Sequence, residues 1–307
     1  MARVFCKNTG TFKEFQEGTM LLDIIGEFNF ERPYEIIAAK VNNVAQGLKF
    51  RLYNNRDIEF LDYRTYIGRN VYCRSLCFLL YKAALDIFPN CKVVMRRPIS
   101  KGFFCSIDKG DGSGLEANDI DLIKKRMSEI VAEAMPFHRH EVPIAEAIDV
   151  FRQLGHMDKV KLLETCGEVY ISYYTLGGTA DYYYDVLVPD AGYLKVWDLT
   201  PYRGGALLRV PDRHKPEALA PFFEQPKTFD VFSESIKWNN IMGLDNVGDV
   251  NQACLKGKAT DLIEVAEALQ EKKIVQIAEE IDRRYHSEQK VRIVLITGPT
   301  SSGKSTF

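Results

Sequence analysis

The chain has 307 residues, room for two or three domains of ordinary size. Its 46% hydrophobic and 27% charged residues are globular values and exclude a low-complexity or fibrous chain. With 40 basic against 42 acidic residues, the net charge of −2 supplies no general field for nucleic acid or an acidic membrane.

Local basic clusters at Arg96-Arg97 and Lys124-Lys125-Arg126 read as solvated surface. The opening MARVFCKNTGTFKEF lacks the long apolar core of a signal peptide. The most apolar long stretch, 76–88, is broken by Lys82 and Asp86 and is too short to span a bilayer. The seven cysteines are odd in number and scattered, as expected of a reduced, cytoplasmic protein with no membrane partner.

In chain order, residues 1–62 read as a strand-rich unit with one short helical stretch, a β-grasp-like pattern. Asn42-Asn43 and Asn54-Asn55 mark turns between its apolar runs. From residue 64 the period changes. Tyr72, Leu76, Leu79, Leu80, Ala83 and Ile87 share one face of a helix over 70–88, which Pro89-Asn90 stops. Strands are expected at 91–95 and 102–107, then helices at 119–135 and 145–154. Residues 167–208 read as three strands rich in tyrosine: VYISYYTLGG, DYYYDVLVP and YLKVWDL. Tyr170, Tyr173, Tyr174 and Tyr182–Tyr184 raise the idea of base stacking, but no basic residues interleave, and half-buried strands suit tyrosine anyway. Residues 211–235 read as a Pro- and charge-rich linker. The clearest helix covers 261–285, with Asp261 as its cap, Glu264 as the reciprocal acid, and Arg283 and Arg284 at the negative end of its dipole. VRIVLIT at 291–297 reads as a short strand buried in a parallel sheet.

That strand leads into Gly298-Pro299-Thr300-Ser301-Ser302-Gly303-Lys304-Ser305-Thr306, which fits G-x-x-x-x-G-K-[ST] throughout. The glycines let consecutive N–H groups curl around phosphate oxygens. Lys304 would reach the β- and γ-phosphates, and the Ser305 hydroxyl would ligate Mg²⁺. The expected cofactors are ATP (or GTP) and Mg²⁺, held by Gly298, Thr300, Ser301, Ser302, Gly303, Lys304, Ser305 and Thr306. Phosphoryl transfer also needs a second acidic metal ligand, a group that orients the acceptor, and arginines. Ser305, Thr306 and Phe307 cannot supply these, so the chain reads as the front of a longer kinase, silent by itself.

The order of segments resembles bacterial uridine kinase-like proteins, in which a nucleoside-kinase domain follows a threonyl-tRNA synthetase-like region. Residues 1–62 resemble a TGS domain, the likeness carried by AAKVNNVAQGLKFRLYNNRDIEFL. Residues 63–225 resemble the synthetase's editing domain, through Phe88-Pro89, GFFCSI, HRHEVPIAEAIDVF and LVPDAGYLKVWDLTPYRGGALLR. Residues 226–290 would then form a helical connector, and 291–307 the first strand and P-loop of the kinase domain. The resemblance implies an α+β multidomain chain and transfer of the ATP γ-phosphoryl to a nucleoside 5′-hydroxyl. A non-catalytic RNA- or nucleotide-binding module, or a tRNA-editing hydrolase, are the other classes; RNA binding has no support from charge.

The editing domain's H-x-x-x-H and C-x-x-x-H pairs would fall on Arg74 and Phe78, and on Tyr183 and Leu187. A charged guanidinium, a phenyl ring and an isobutyl group are not metal ligands, so no zinc site and no deacylation by that route are expected. Cys73 and Cys77 would share a helix face, but no His or Cys cluster lies nearby in sequence to complete a zinc site and buried thiols are expected; His138 and His140 would share a strand face and read as surface histidines. Arg74 beside Tyr182–Tyr184 is either the wall of an anion pocket or an arginine lying over the sheet.

Overall fold

A computed structural model describes residues 1–288, 290–298 and 300. It is an α+β architecture with two compact units, one of 1–154 with 168–230, the other of 155–167 with the residues from 231 onward.

The first unit opens with β1 (Ala2–Cys6), β2 (Thr11–Phe15), β3 (Thr19–Met20), α1 (Leu21–Ile24), β4 (Ile36–Val41), β5 (Val44–Gly47), β6 (Arg51–Leu52) and β7 (Arg56–Asp62). Five of the strands form a mixed sheet in the order β2-β1-β7-β4-β5, with β1 and β7 parallel. In β1 the alternating Ala2, Val4 and Cys6 face inward, as a period of two requires. Val4 and Cys6 join Leu21 and Ile24 of α1, with Phe28, Ile58 and Phe60, in a separate small core. The Asn42-Asn43 turn between β4 and β5 holds both residues at positive φ (48° and 66°), a conformation asparagine tolerates.

The central element is α2 (Tyr66–Ile87). It starts four residues earlier than its apolar period suggested, because the Thr65 hydroxyl accepts from Gly68 N at 3.0 Å. Gly68 is required there: a Cβ would stand 2.1 Å from the Asp62 carbonyl oxygen. The expected single apolar face is too narrow. Val71, Cys73, Ser75, Phe78, Lys82 and Ala84 are buried as well. The helix packs against β4 and β7 on one side and further elements on others, so nearly its whole circumference is covered.

Next come β8 (Lys92–Ile99), β9 (Gly102–Asp108), α3 (Ala117–Ala132), β10 (Phe137–Pro143) and α4 (Ile144–Gln153). They are followed in sequence by α5 (Met157–Leu163), which belongs to the second unit, and then by β11 (Tyr170–Leu176), β12 (Thr179–Asp181), β13 (Asp198–Tyr202) and β14 (Gly205–Arg209). One antiparallel sheet runs β13-β14-β9-β8, the other β10-β11-β12. Both contribute side chains to the large core around α2, including Cys105, Ile107, Phe137, Tyr174, Leu176, Ala206 and Leu208.

Two expected strands are corrected. DYYYDVLVP is extended in pairing only as far as Asp181, and YLKVWDL becomes a 3-10 turn at Ala191–Tyr193 followed by β13. Locally bonding aspartates explain the first. Asp181 Oδ1 accepts from Tyr182 N and Asp185 Oδ1 from Val186 N, both at 2.8 Å, so the backbone has partners outside a ladder.

The expected linker ends at Gln225, where α6 (Pro226–Met242) begins with proline at its first position. In the second unit, α7 (Val247–Leu255) is capped by Asn246, whose oxygen accepts from Asp249 N at 3.1 Å. α7 packs on α5 through the Lys161–Asp249 ion pair at 2.7 Å and the Asn251–Thr165 bond at 2.9 Å. α8 (Ala259–Tyr285) starts before Asp261, which therefore sits in the first turn rather than at the cap. Its last turn carries Arg283 and Arg284, both bonded to Glu280. No helix among the described residues is long and apolar enough to cross a membrane.

Candidate functional site

The phosphate-loop candidates fall mostly outside the described residues. Ser301, Ser302, Gly303, Lys304, Ser305 and Thr306 all do; Gly298 and Thr300 are described and exposed. The strand expected at 291–297 is not in a ladder here. Ile293 is 77% and Leu295 87% exposed. A parallel strand exists only through its neighbours, and none of the described residues pairs with this run.

The four positions that the editing resemblance singled out do converge. Phe78, on α2, lies with its ring centroid 5.4 Å from that of Tyr183 and 5.7 Å from that of Phe137. Leu187 is buried in the same core. One turn before Phe78, the Arg74 guanidinium pairs with Asp185 at 2.8 Å and donates to the Val186 carbonyl at 3.4 Å. It also stands 5.5 Å from the ring centroid of Tyr184, which is 83% exposed. Arg74 thus satisfies its own loop, and the anion-pocket idea loses its free guanidinium. Burial pushes the Tyr183 hydroxyl well above its ordinary value, so it stays protonated. The locus is an aromatic and aliphatic plug with a peripheral ion pair.

The helix-face thiols are in the same interior. Burial raises Cys73 to about 11 and pushes Cys77 up well above the usual thiol range. Protonated thiols are poor metal ligands. Among the described residues no group of three or more His, Cys, Asp or Glu is placed to hold a metal ion. His138 and His140 occupy one face of β10: His138 is exposed, and His140 stacks on Tyr173 at 4.9 Å and bonds Thr175 at 2.9 Å. The tyrosines do not form a stacking platform, since Tyr173 and Tyr174 are buried. Of the basic clusters, Arg96 donates to Ser106, Lys124 pairs with Asp198, and Arg126 pairs with Asp86, Glu129 and Glu133.

Sequence reasoning missed Lys49. Its ammonium, in the loop after β5, donates to the carbonyls of Phe137 of β10 at 3.1 Å and Pro189 at 2.7 Å, tying that loop to a distant part of the same unit. A lysine after an apolar strand gives no signal of so distant a partner.

No protein-family profile matches the chain. Comparison with characterised proteins finds similarity to threonine–tRNA ligases. That of Porphyromonas gingivalis W83 is 25% identical over 195 residues, 64% of this chain and 30% of the ligase. That of Azobacteroides pseudotrichonymphae is 24% identical over 200 residues, covering 65% and 31%. The ligase of Francisella tularensis SCHU S4 is 25% identical over 195 residues, with coverage of 64% and 30%. The chain spans under a third of the length of these relatives. Over about two thirds of its own length, it is therefore distantly and partially similar to threonine–tRNA ligases.

Proposed function

We propose that the chain is the N-terminal portion of an ATP-dependent, uridine-like nucleoside kinase, in which synthetase-derived TGS-like and editing-like domains precede a phosphoryl-transfer domain. The carrying observation is the unbroken Gly298-x-x-x-x-Gly303-Lys304-Ser305 pattern directly after the apolar run 291–297. In this reading main-chain amides of the loop and Lys304 hold the nucleotide phosphates, Ser305 ligates Mg²⁺, and catalysis is positioning and charge neutralisation. In this reading the nucleoside pocket and the acidic and arginine-bearing groups would lie in the rest of that longer polypeptide. ATP:uridine phosphotransfer by that polypeptide, lost in Lys304→Ala, tests the reading; unchanged transfer in the variant overturns it.

A second reading, a non-catalytic RNA- or nucleotide-binding module, draws on the similarity to tRNA ligases over 195 residues. A tRNA-editing hydrolase is disfavoured by Phe78 and Leu187, which offer no donor atom at two of the four positions. Binding to tRNA across a salt series tests the module reading, and release of the amino acid from mischarged tRNA tests the hydrolase.

A further inference from the structure

The open face of the first sheet carries a small cleft with an aromatic floor and a polar rim. Phe5 and Phe12 are register partners on β1 and β2, with ring centroids 4.8 Å apart. The Arg3 guanidinium lies 4.2 Å from the Phe12 centroid, and Phe12 is 56% exposed. A single exposed phenylalanine is ordinary; its company is not. Asp57 pairs with Phe5 across the parallel β1–β7 ladder. With Asn42, Asn55 and Arg56 these residues line a cleft of about 280 Å³.

The backbone fixes the rim. Asn42 Oδ1 accepts from Asp57 N at 3.0 Å, and Asn55 Oδ1 accepts from Arg3 N at 2.9 Å. Among the described residues, the Asp57 carboxylate and the Arg3 guanidinium have no hydrogen-bond or ion-pair partner. Glu14 is opposite Arg3 in register, yet the two form no ion pair. The Asp57 carboxylate, beside Phe5, and the Arg3 guanidinium, which lies over Phe12, thus border the aromatic floor with hydrogen-bonding capacity to spare.

The chemistry selects an occupant. Phenyl and guanidinium faces stack planar π-systems with little regard to their identity. An ionised carboxylate only accepts hydrogen bonds, so its best complement is a ring edge with two adjacent N–H donors. Among the common nucleobases guanine offers that edge, at N1 and N2. Adenine, cytosine and uracil place an acceptor next to each donor and would meet the carboxylate with repulsion. A guanidinium then suits a phosphate. At about 280 Å³ the cleft falls just below the roughly 300–1,000 Å³ span of ligand sites, a size for one base with its phosphate outside.

The geometry points to a guanine-nucleotide site on the open face of the first sheet, with the base on Phe12, its N1 and N2 donors on Asp57, and the phosphate toward Arg3. The site is independent of the phosphate loop. Calorimetric titration of the 307-residue chain with GMP, AMP and UMP tests it, in a Lys304→Ala background so that the loop does not contribute. Because a site built on matched hydrogen bonds rejects ligands that leave its groups unpaired, GMP should bind at least ~10-fold tighter than AMP or UMP. Asp57→Asn should bring GMP and AMP within about twofold of each other, since the amide no longer presents two acceptors. Phe12→Ala should weaken GMP by roughly 10-fold through lost stacking, and Phe12→Trp should retain binding. Positions 12 and 57 are both exposed, and matched thermal unfolding of the variants confirms that folding is intact. Equal affinity for GMP and AMP, a guanine preference that survives Asp57→Asn, or no saturation by GMP at millimolar concentration would overturn the assignment.

Discussion

The Phe78 and Tyr183 rings lie 5.4 Å apart at an interplanar angle of 39°, on α2 and on the segment after β12. Three of the four positions singled out by the editing-domain resemblance, Phe78, Tyr183 and Leu187, are here packed hydrocarbon and phenol. Phe78→Ala should therefore cost ~3–5 kcal/mol, the usual range for a buried phenylalanine. In a unit of this size that corresponds to a fall of roughly 10 °C in the thermal transition. Phe78→His should destabilise too without conferring zinc binding, because Leu187 and Arg74 bring no neutral donor. Calorimetry with and without zinc checks both.

Arg74 and Asp185 form a partly exposed ion pair at 2.8 Å. Solvent screening limits such a pair, and a double-mutant cycle with Arg74→Ala and Asp185→Ala should return a coupling of ~0.5–1 kcal/mol. The coupling should shrink in high salt. A salt-independent value would place the pair in a drier site than its exposure indicates.

Thiol chemistry reports the same interior. Burial raises Cys73 and Cys91 to about 11 and Cys105 to about 12, while Cys254 is exposed. The native protein at neutral pH should show its first fast reaction with an aromatic disulfide reagent at Cys254, and Cys254→Ser should remove that phase. Cys73, Cys91 and Cys105 should react only on unfolding. Peptide mapping of the labelled protein checks the order.

The end of α8 should be acid-sensitive. Hydrogen bonds from Arg283 and Arg284 lower Glu280 to about 2 from an ordinary value of 4.5. The folded value is depressed, so the stabilisation is fully present above the unfolded value. It is lost as pH falls from about 4.5 through about 2. Protection factors at residues 281–285, taken against the intrinsic exchange rate at each pH, should fall across that window, and Glu280→Gln should flatten the response.

Much of the order of elements was legible because it rests on local cues. The inward alternation of Ala2, Val4 and Cys6 and the Asn42-Asn43 turn are properties of a few adjacent residues. α2 was legible as a helix but not as a nearly all-round buried one, since burial on several sides depends on sheets contributed from far along the chain. The loop at Tyr182–Asp185 was misread as strand because β-propensity favours tyrosine, while two aspartates quietly supply local partners. At the candidate site, the convergence of Arg74, Phe78, Tyr183 and Leu187 could be aligned in advance, but the Arg74–Asp185 pairing that occupies the guanidinium required the tertiary structure. Asp57 beside Phe5, and Phe12 with Arg3 over its ring, are brought together by the β1–β7 and β1–β2 ladders, which no sequence spacing reveals.

The most direct test of the account is nucleotide-dependent stabilisation of the longer polypeptide proposed above. ATP with Mg²⁺ should raise its thermal transition, and Lys304→Ala should abolish the rise while leaving the nucleotide-free transition in place. No shift with ATP, or the same shift in both proteins, would contradict it.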